Sequence, residues 1–197
     1  MNNLLLPRDG AMSFLRNAQS NGYSMEPELI RPIVGAKISE ELKDAGFLVD
    51  YTELVSTSVF EEKGMRFTDA IFKALNAGVS LVEGEHLTHL PLFSVRVFEP
   101  GVYGTTVHRN HPSIGPWAIG ITLKGTAPFN VYTKYQLPED TIQPLRGDGN
   151  DPIPLDSMEA SAGSGWTLYT RETQTPHSSG IVESDIQREL LIFYGMQ

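Results

Sequence analysis

Hydrophobic and polar positions fall into two regimes along the chain. In the first part, apolar residues recur at helical spacing. Lys37 to Gly46 sets Ile38 and Leu42 four apart among charged neighbours and ends in a glycine suited to a helix C-cap. A second helix is predicted from Met65, where Phe67, Ile71, Phe72 and Leu75 follow the i, i+4, i+5, i+8 spacing of one buried face and Gly78 is the expected stop. A shorter helical stretch is read over Ala11 to Asn17. From Leu92 onward, short β-branched and aromatic runs alternate with turns. Strands are predicted over Phe93–Phe98, Thr105–His108, Trp117–Lys124, Phe129–Lys134, Leu155–Ala160, Gly165–Thr170, Ser179–Glu183 and Glu189–Tyr194. Of 31 Gly and Pro residues, 10 lie in residues 1–89 and 21 in 90–197, as a turn-rich β region requires.

Eight short strands with polar or Gly-rich turns suit a barrel or a two-sheet jelly roll. The expected organisation is one domain over 1–197, with a mainly helical N-terminal elaboration (1–91) leading into a β core (92–197). The longest break, Leu137–Pro154, is rich in Pro, Gly and Asp and reads as an exposed loop; its Arg146-Gly147-Asp148 tripeptide arises by chance too often to carry weight. There is no internal repeat, no Gly-rich phosphate loop and no G-x-S-x-G nucleophile elbow.

Composition narrows the function classes. With 15 basic and 24 acidic residues the formal charge is −9, which argues against a phosphate-backbone or anionic-membrane surface. The absence of Cys removes disulfides, iron–sulfur clusters and thiol nucleophiles together. No apolar run is long enough to span a bilayer, and the opening Leu4-Leu-Leu is too short for a signal peptide. A cytoplasmic protein acting on a small molecule, with neither nucleic acid nor membrane as partner, is the expectation; the oligomeric state is not readable.

Candidate chemistry rests on imidazole and carboxylate. The histidines are His86, His89, His108, His111 and His177, and without thiolates a transition-metal site would suit Fe(II), Mn(II), Zn or Ni. On a strand, residues two apart share a face, so His108 and Asn110 project together and one strand can offer two ligands. His177, 69 residues later, can supply another. Eleven residues beyond it, Arg188 heads the apolar run to Tyr194, and alternation sets it on one face with Leu190, Ile192 and Tyr194. A guanidinium among apolar neighbours needs an anion, for which a bidentate carboxylate is the natural choice.

A Pro-Gly turn, a strand ending in His108-x-Asn110, the distal His177 and Arg188 beyond it resemble the iron- and 2-oxoglutarate-dependent oxygenases. The resemblance covers roughly residues 92–196. It implies a double-stranded β-helix, a cupin-like jelly roll. It implies Fe(II) held by His108, Asn110 and His177, and 2-oxoglutarate held through its far carboxylate by Arg188. Arg96 to Gly101 is similar to the Asn-Arg-Tyr-x-Pro-Gly approach of the nucleic-acid-demethylating branch, with Arg96 and Phe98 standing where Asn and Tyr are usual. The main departure is Asn110, a neutral amide at the position of the family's carboxylate ligand. Two functions follow. One is an oxygenase-like enzyme oxidising an unidentified substrate at a C–H bond, with Asn110, an exogenous ligand or His111 completing the metal set. The other is a non-catalytic or divergent cupin-like binder of a small molecule or sugar. A partner-binding role for Leu137–Pro154 has no positive support.

Plainer readings stand beside these. Asn110 serves equally as a turn residue before His111-Pro112. Arg188 can pair with Glu183 or Asp185 across a surface hairpin. His86 and His89 form an i, i+3 pair. Trp117, Trp166, Tyr169 and Phe193 read as core or cavity wall. Glu61, Glu62, Glu83 and Glu85 read as solvated surface.

Overall fold

The computed structural model describes residues 8–49, 52–84, 89–110, 115–133, 152–169, 175–182 and 185–196. Helices α1 (Arg8–Asn21), α2 (Pro32–Asp44), α3 (Val59–Glu62) and α4 (Arg66–Glu83) precede the main run of strands. Pro32 opens α2, where its fixed φ suits a first helical turn. Gly46, at φ 81°, turns the chain after Ala45 as expected and donates to the Lys43 carbonyl at 3.0 Å. Glu41 of α2 ties down the start of α4, accepting from the Phe67 and Thr68 amides at 2.9 Å each and from the Thr68 hydroxyl at 2.8 Å. These bonds satisfy donors that a helix N-terminus leaves open.

Gly78 does not stop α4, which runs on to Glu83 and ends at Gly84 with φ 69°. Gly78 is instead a point of close approach: a Cβ there would stand 2.6 Å from Leu15 Cδ1 of α1. The local breaker propensity is overridden by packing between two helices.

Among the described residues there are ten strands, most of them in the region where the sequence predicts them. β1 (Tyr23–Glu26) and β2 (Val55–Ser56) lie in the N-terminal region read as mainly helical. The others are β3 (His89–Phe98), β4 (Tyr103–His108), β5 (Trp117–Lys124), β6 (Ala127–Val131), β7 (Asp156–Ala160), β8 (Gly165–Tyr169), β9 (His177–Ile181) and β10 (Arg188–Met196). They form a major sheet in the order β1-β8-β5-β10-β3-β2 and a minor sheet in the order β4-β9-β6-β7. The registered pairings are antiparallel throughout. Strands β3 to β10 thus pass back and forth between two facing sheets, and β1 and β2 extend the edges of the major one.

The major sheet is covered on both faces, which is why β5 and β10 are buried along nearly their whole length. On its outer face, Phe93, Val95, Trp117, Ile119, Ile121, Leu191 and Phe193 pack against Leu15, Ile38, Leu42, Ile71, Leu75 and Val79 of the helices. On its inner face, Ala118, Trp166, Leu168, Leu190, Ile192 and Tyr194 meet Phe129, Val131, Met158 and Ala160 of the minor sheet. Trp117, Tyr169 and Phe193 therefore belong to the outer core, and Trp166 to the space between sheets. Glu83 is a correction to the surface reading: it is buried and accepts from the Trp117 indole at 3.0 Å. Glu61 and Glu62 are exposed as expected. Glu85, His86, His111, Glu183 and residues 137–151 of the long loop lie outside the described residues. Among the described residues no helix is long and apolar enough to cross a membrane.

Candidate functional site

The site is built where β4 and β9 pair in the minor sheet and face β10 and β5 of the major one. His108 at the end of β4 lies directly across the ladder from His177 at the start of β9. Their ring centroids are 4.3 Å apart with planes tilted by 52°. Two residues 69 positions apart in the chain are thereby made neighbours by strand pairing alone. Thr105 pairs with Ser179, so the register shifts by one residue before His108 meets His177. Thr105 and His108, three apart, could not share a face of a regular strand, yet both line the same cavity. The irregularity turns His108 inward, and Asn110, two residues on, lines the cavity with it.

Each imidazole is oriented by its own strand. His108 Nδ1 lies 2.8 Å from the Thr106 carbonyl and His177 Nδ1 lies 3.1 Å from the Thr175 carbonyl. A carbonyl only accepts, so each ring donates from Nδ1 and keeps the lone pair on Nε2. A bond of this kind from the other ring nitrogen is what fixes the tautomer of a metal-binding histidine. Burial, reinforced by the neighbouring His108, pushes His177 down to about 3. Burial also lowers His108, against the opposing bond to Thr106, and the positive charge of Arg96 lowers it further. Both rings are therefore neutral at pH 7 and able to coordinate a cation. Among the described residues no third His, Asp or Glu joins them.

Arg188 is fully buried on β10 and faces the cavity with Leu190, Ile192 and Tyr194, as strand alternation predicts. It does not pair with Asp185, which is exposed. One terminal nitrogen donates to Ser179 Oγ of β9 and the other to Thr122 Oγ1 of β5 at 3.3 Å. The third nitrogen, Nε–H, has no partner among the described residues. No carboxylate among the described residues lies within ion-pair distance of this guanidinium. Burial pushes its pKa down to about 10, still well above neutrality, so the cavity carries a fixed positive charge.

The remaining walls come from Arg96, Phe98, Thr105, Phe129, Trp166 and Ser179. The cavity measures about 60 Å³, room for roughly four to six water-sized groups, and so suits a compact ligand. Phe129 and Trp166 stack at 4.6 Å with planes 6° apart, and both flank His177. Sequence reasoning missed Ser179 and the register shift. Ser179 was legible, because strand alternation sets it on the face of His177. The shift carried no signal in composition or spacing. His89 is exposed at the start of β3, beside Met196, and takes no part.

No protein-family model and no curated protein matches the sequence. Solved structures share its fold over nearly the whole chain. A Pseudomonas putida prolyl-4-hydroxylase superposes with a TM-score of 0.61 at 11% identity, covering 95% of this chain and 94% of that one. EvdO2 from Micromonospora carbonacea var. aurantiaca, complexed with 2-oxoglutarate, gives 0.59 at 14% identity over 94% and 90% of the two chains. The non-heme α-ketoglutarate-dependent epimerase SnoN from nogalamycin biosynthesis gives 0.63 at 14% identity over 96% and 81%. These likenesses define the architecture: this chain has the double-stranded β-helix fold found in 2-oxoglutarate-dependent oxygenases.

Proposed function

We propose that this protein is an Fe(II)- and 2-oxoglutarate-dependent oxygenase-like enzyme that oxidises a small molecule at a C–H bond. One observation carries the reading. A buried guanidinium whose Nε–H has no partner among the described residues faces the same narrow cavity as two neutral imidazoles that keep their lone pairs on Nε2. A cation held by nitrogen and a carboxylate held by arginine is the combination this donor set fits.

In this reading His108 and His177 hold the metal, and the amide oxygen of Asn110 stands at the third position. Arg188 holds the far carboxylate of 2-oxoglutarate. Bound iron supplies the oxygen-activating redox chemistry, and the 2-oxo acid supplies the electrons. The chain's own contribution is positioning and exclusion of water. Thr106 and Thr175 hold the two rings, Ser179 and Thr122 hold the guanidinium, and Phe129, Trp166, Leu190 and Ile192 keep the surroundings apolar. Burial keeps both imidazoles unprotonated, so protons do not compete with the metal at pH 7. Asn110 lacks the charge of a carboxylate and holds a divalent cation less tightly than an aspartate would. The formal charge of −9 supports a small-molecule substrate over nucleic acid.

The test is anaerobic titration of the protein with Fe(II) and 2-oxoglutarate, following the visible metal-to-ligand charge-transfer band. The expected result is a band that His177→Ala abolishes and that Arg188→Ala shifts to higher 2-oxoglutarate concentration. No band at any iron concentration overturns the reading and favours the divergent binder, for which Asn110 is the supporting observation.

A further inference from the structure

The orphaned donors of the structure are unevenly used. Among the described residues, Trp166 Nε1, Arg188 Nε, Thr167 Oγ1 and Ser164 Oγ are buried without a hydrogen-bond partner, and of these four only Trp166 and Arg188 line the cavity. An indole N–H removed from water and left unpaired is costly, and a buried tryptophan ordinarily finds an acceptor. The other tryptophan does so: Trp117 donates to Glu83 at 3.0 Å. Trp166 is 4% exposed, so solvent does not supply its partner.

The position of the ring is specified from both sides. Trp166 of β8 pairs with Gly120 of β5, and its indole lies over that glycine. A Cβ at residue 120 would stand 2.2 Å from Trp166 Cε2 and 2.6 Å from Nε1. The opposite face of the ring is stacked on Phe129 of the minor sheet at 4.6 Å. Its centroid is 6.1 Å from that of His177. On β5, Thr122, which binds Arg188, is the next inward-facing residue after Gly120. The indole thus lines the cavity together with the imidazole pair and the guanidinium. Filling a core would not require an indole there, since Phe would stack on Phe129 without stranding a donor.

We infer that Trp166 is a further binding residue of this cavity, its Nε1–H donating to an oxygen of the bound 2-oxo acid. The inference rests on the co-substrate reading above and adds to it a neutral, oriented donor beside the charged one. Arg188 selects for charge, while Trp166 selects for an acceptor along the body of the ligand.

The experiment follows the two indole N–H cross-peaks in a 1H–15N correlation spectrum of the full chain, loaded anaerobically with Zn(II) in place of iron and titrated with 2-oxoglutarate. Trp166→Phe assigns the peaks. The expected result is a downfield shift of the Trp166 N–H proton with Trp117 unmoved. Calorimetry of the same titration should show Trp166→Phe weakening 2-oxoglutarate binding by about tenfold to a hundredfold, the worth of a hydrogen bond to a charged group, with Zn(II) affinity unchanged. Replacing Trp166 with β-(3-benzothienyl)alanine, which keeps the shape of the ring and removes only the N–H, should weaken binding equally. If 2-oxoglutarate binds in an Arg188-dependent way while the Trp166 peak and the affinities of both variants stay unchanged, the inference is overturned and the proposed function stands. If 2-oxoglutarate does not bind the unsubstituted chain at all, both fall.

Discussion

Replacing Arg188 with Met separates a structural arginine from one kept for a ligand. The side chain is wholly buried, and burial alone pushes its pKa down to about 10, so carrying the charge costs about 3 kcal/mol. Against this stand its bonds to Ser179 and Thr122, worth about 1.5 kcal/mol each for a charged donor, or about 3 kcal/mol together. The two sums offset. Arg188→Met, which is apolar and of similar reach, should therefore change the stability of the ligand-free protein by no more than about 1 kcal/mol. Truncating half of a buried ion pair would instead cost about 3–5 kcal/mol. Urea unfolding followed by circular dichroism measures the difference. In the same experiment, 2-oxoglutarate at a hundred times its Kd should stabilise the unsubstituted protein by about 2.7 kcal/mol and the variant, which binds it more weakly, by much less. A loss of more than about 3 kcal/mol in the ligand-free variant would mean that Arg188 already has its anion within the chain, and the argument from its burial would fail.

Three further predictions follow from the site. Asn110→Asp should tighten divalent-metal binding by about tenfold or more, because a half-buried unit charge beside a cation is worth upwards of about 1.4 kcal/mol; unchanged affinity in calorimetry would place residue 110 off the metal. His177 titrates near 6.5 unfolded but near 3 folded, so the unfolded chain binds the extra proton between those values, and stability should fall as pH drops through 6.5. The His177 contribution approaches about 1.4 kcal/mol per pH unit, and His177→Gln should flatten the slope of the urea-derived unfolding free energy against pH by that amount; an identical slope would contradict burial of a neutral ring. Gly120→Ala should cost about 1–3 kcal/mol and weaken 2-oxoglutarate binding together, since its Cβ displaces the Trp166 indole; urea unfolding and calorimetry of this variant test the two effects.

Legibility in the sequence followed the locality of the cause. The bounds of β5 were readable because an apolar run is fenced by Gly115-Pro116 and Gly125, all within the segment itself. The inward face of β10 was readable because alternation depends only on the strand's own geometry. Gly78 misled because its role is set by Leu15, on another helix, and not by its neighbours in sequence. Glu83 misled for the same reason, its burial depending on Trp117. β1 and β2 were missed because strands of four and two residues have too little pattern, and their partners β8 and β3 lie far along the chain. The pairing of His108 and Asn110 was legible as parity, while the register shift that brings Thr105 onto the same wall belongs to the ladder and has no local signature.

The two halves of the cavity chemistry ride on different sheets. The imidazoles belong to β4 and β9, whereas the guanidinium belongs to β10, and the bond from Arg188 to Ser179 is the tie across the gap. In the proposed reading, the separation between the cation and anion positions is therefore set by the thickness of the sandwich at that point. A substitution deep in the inter-sheet layer, at Met158 or Leu168 for instance, can retune ligand length preference without touching any liganding atom. Evolution of a new substrate range in such a scaffold can proceed through spacer residues as readily as through the mouth.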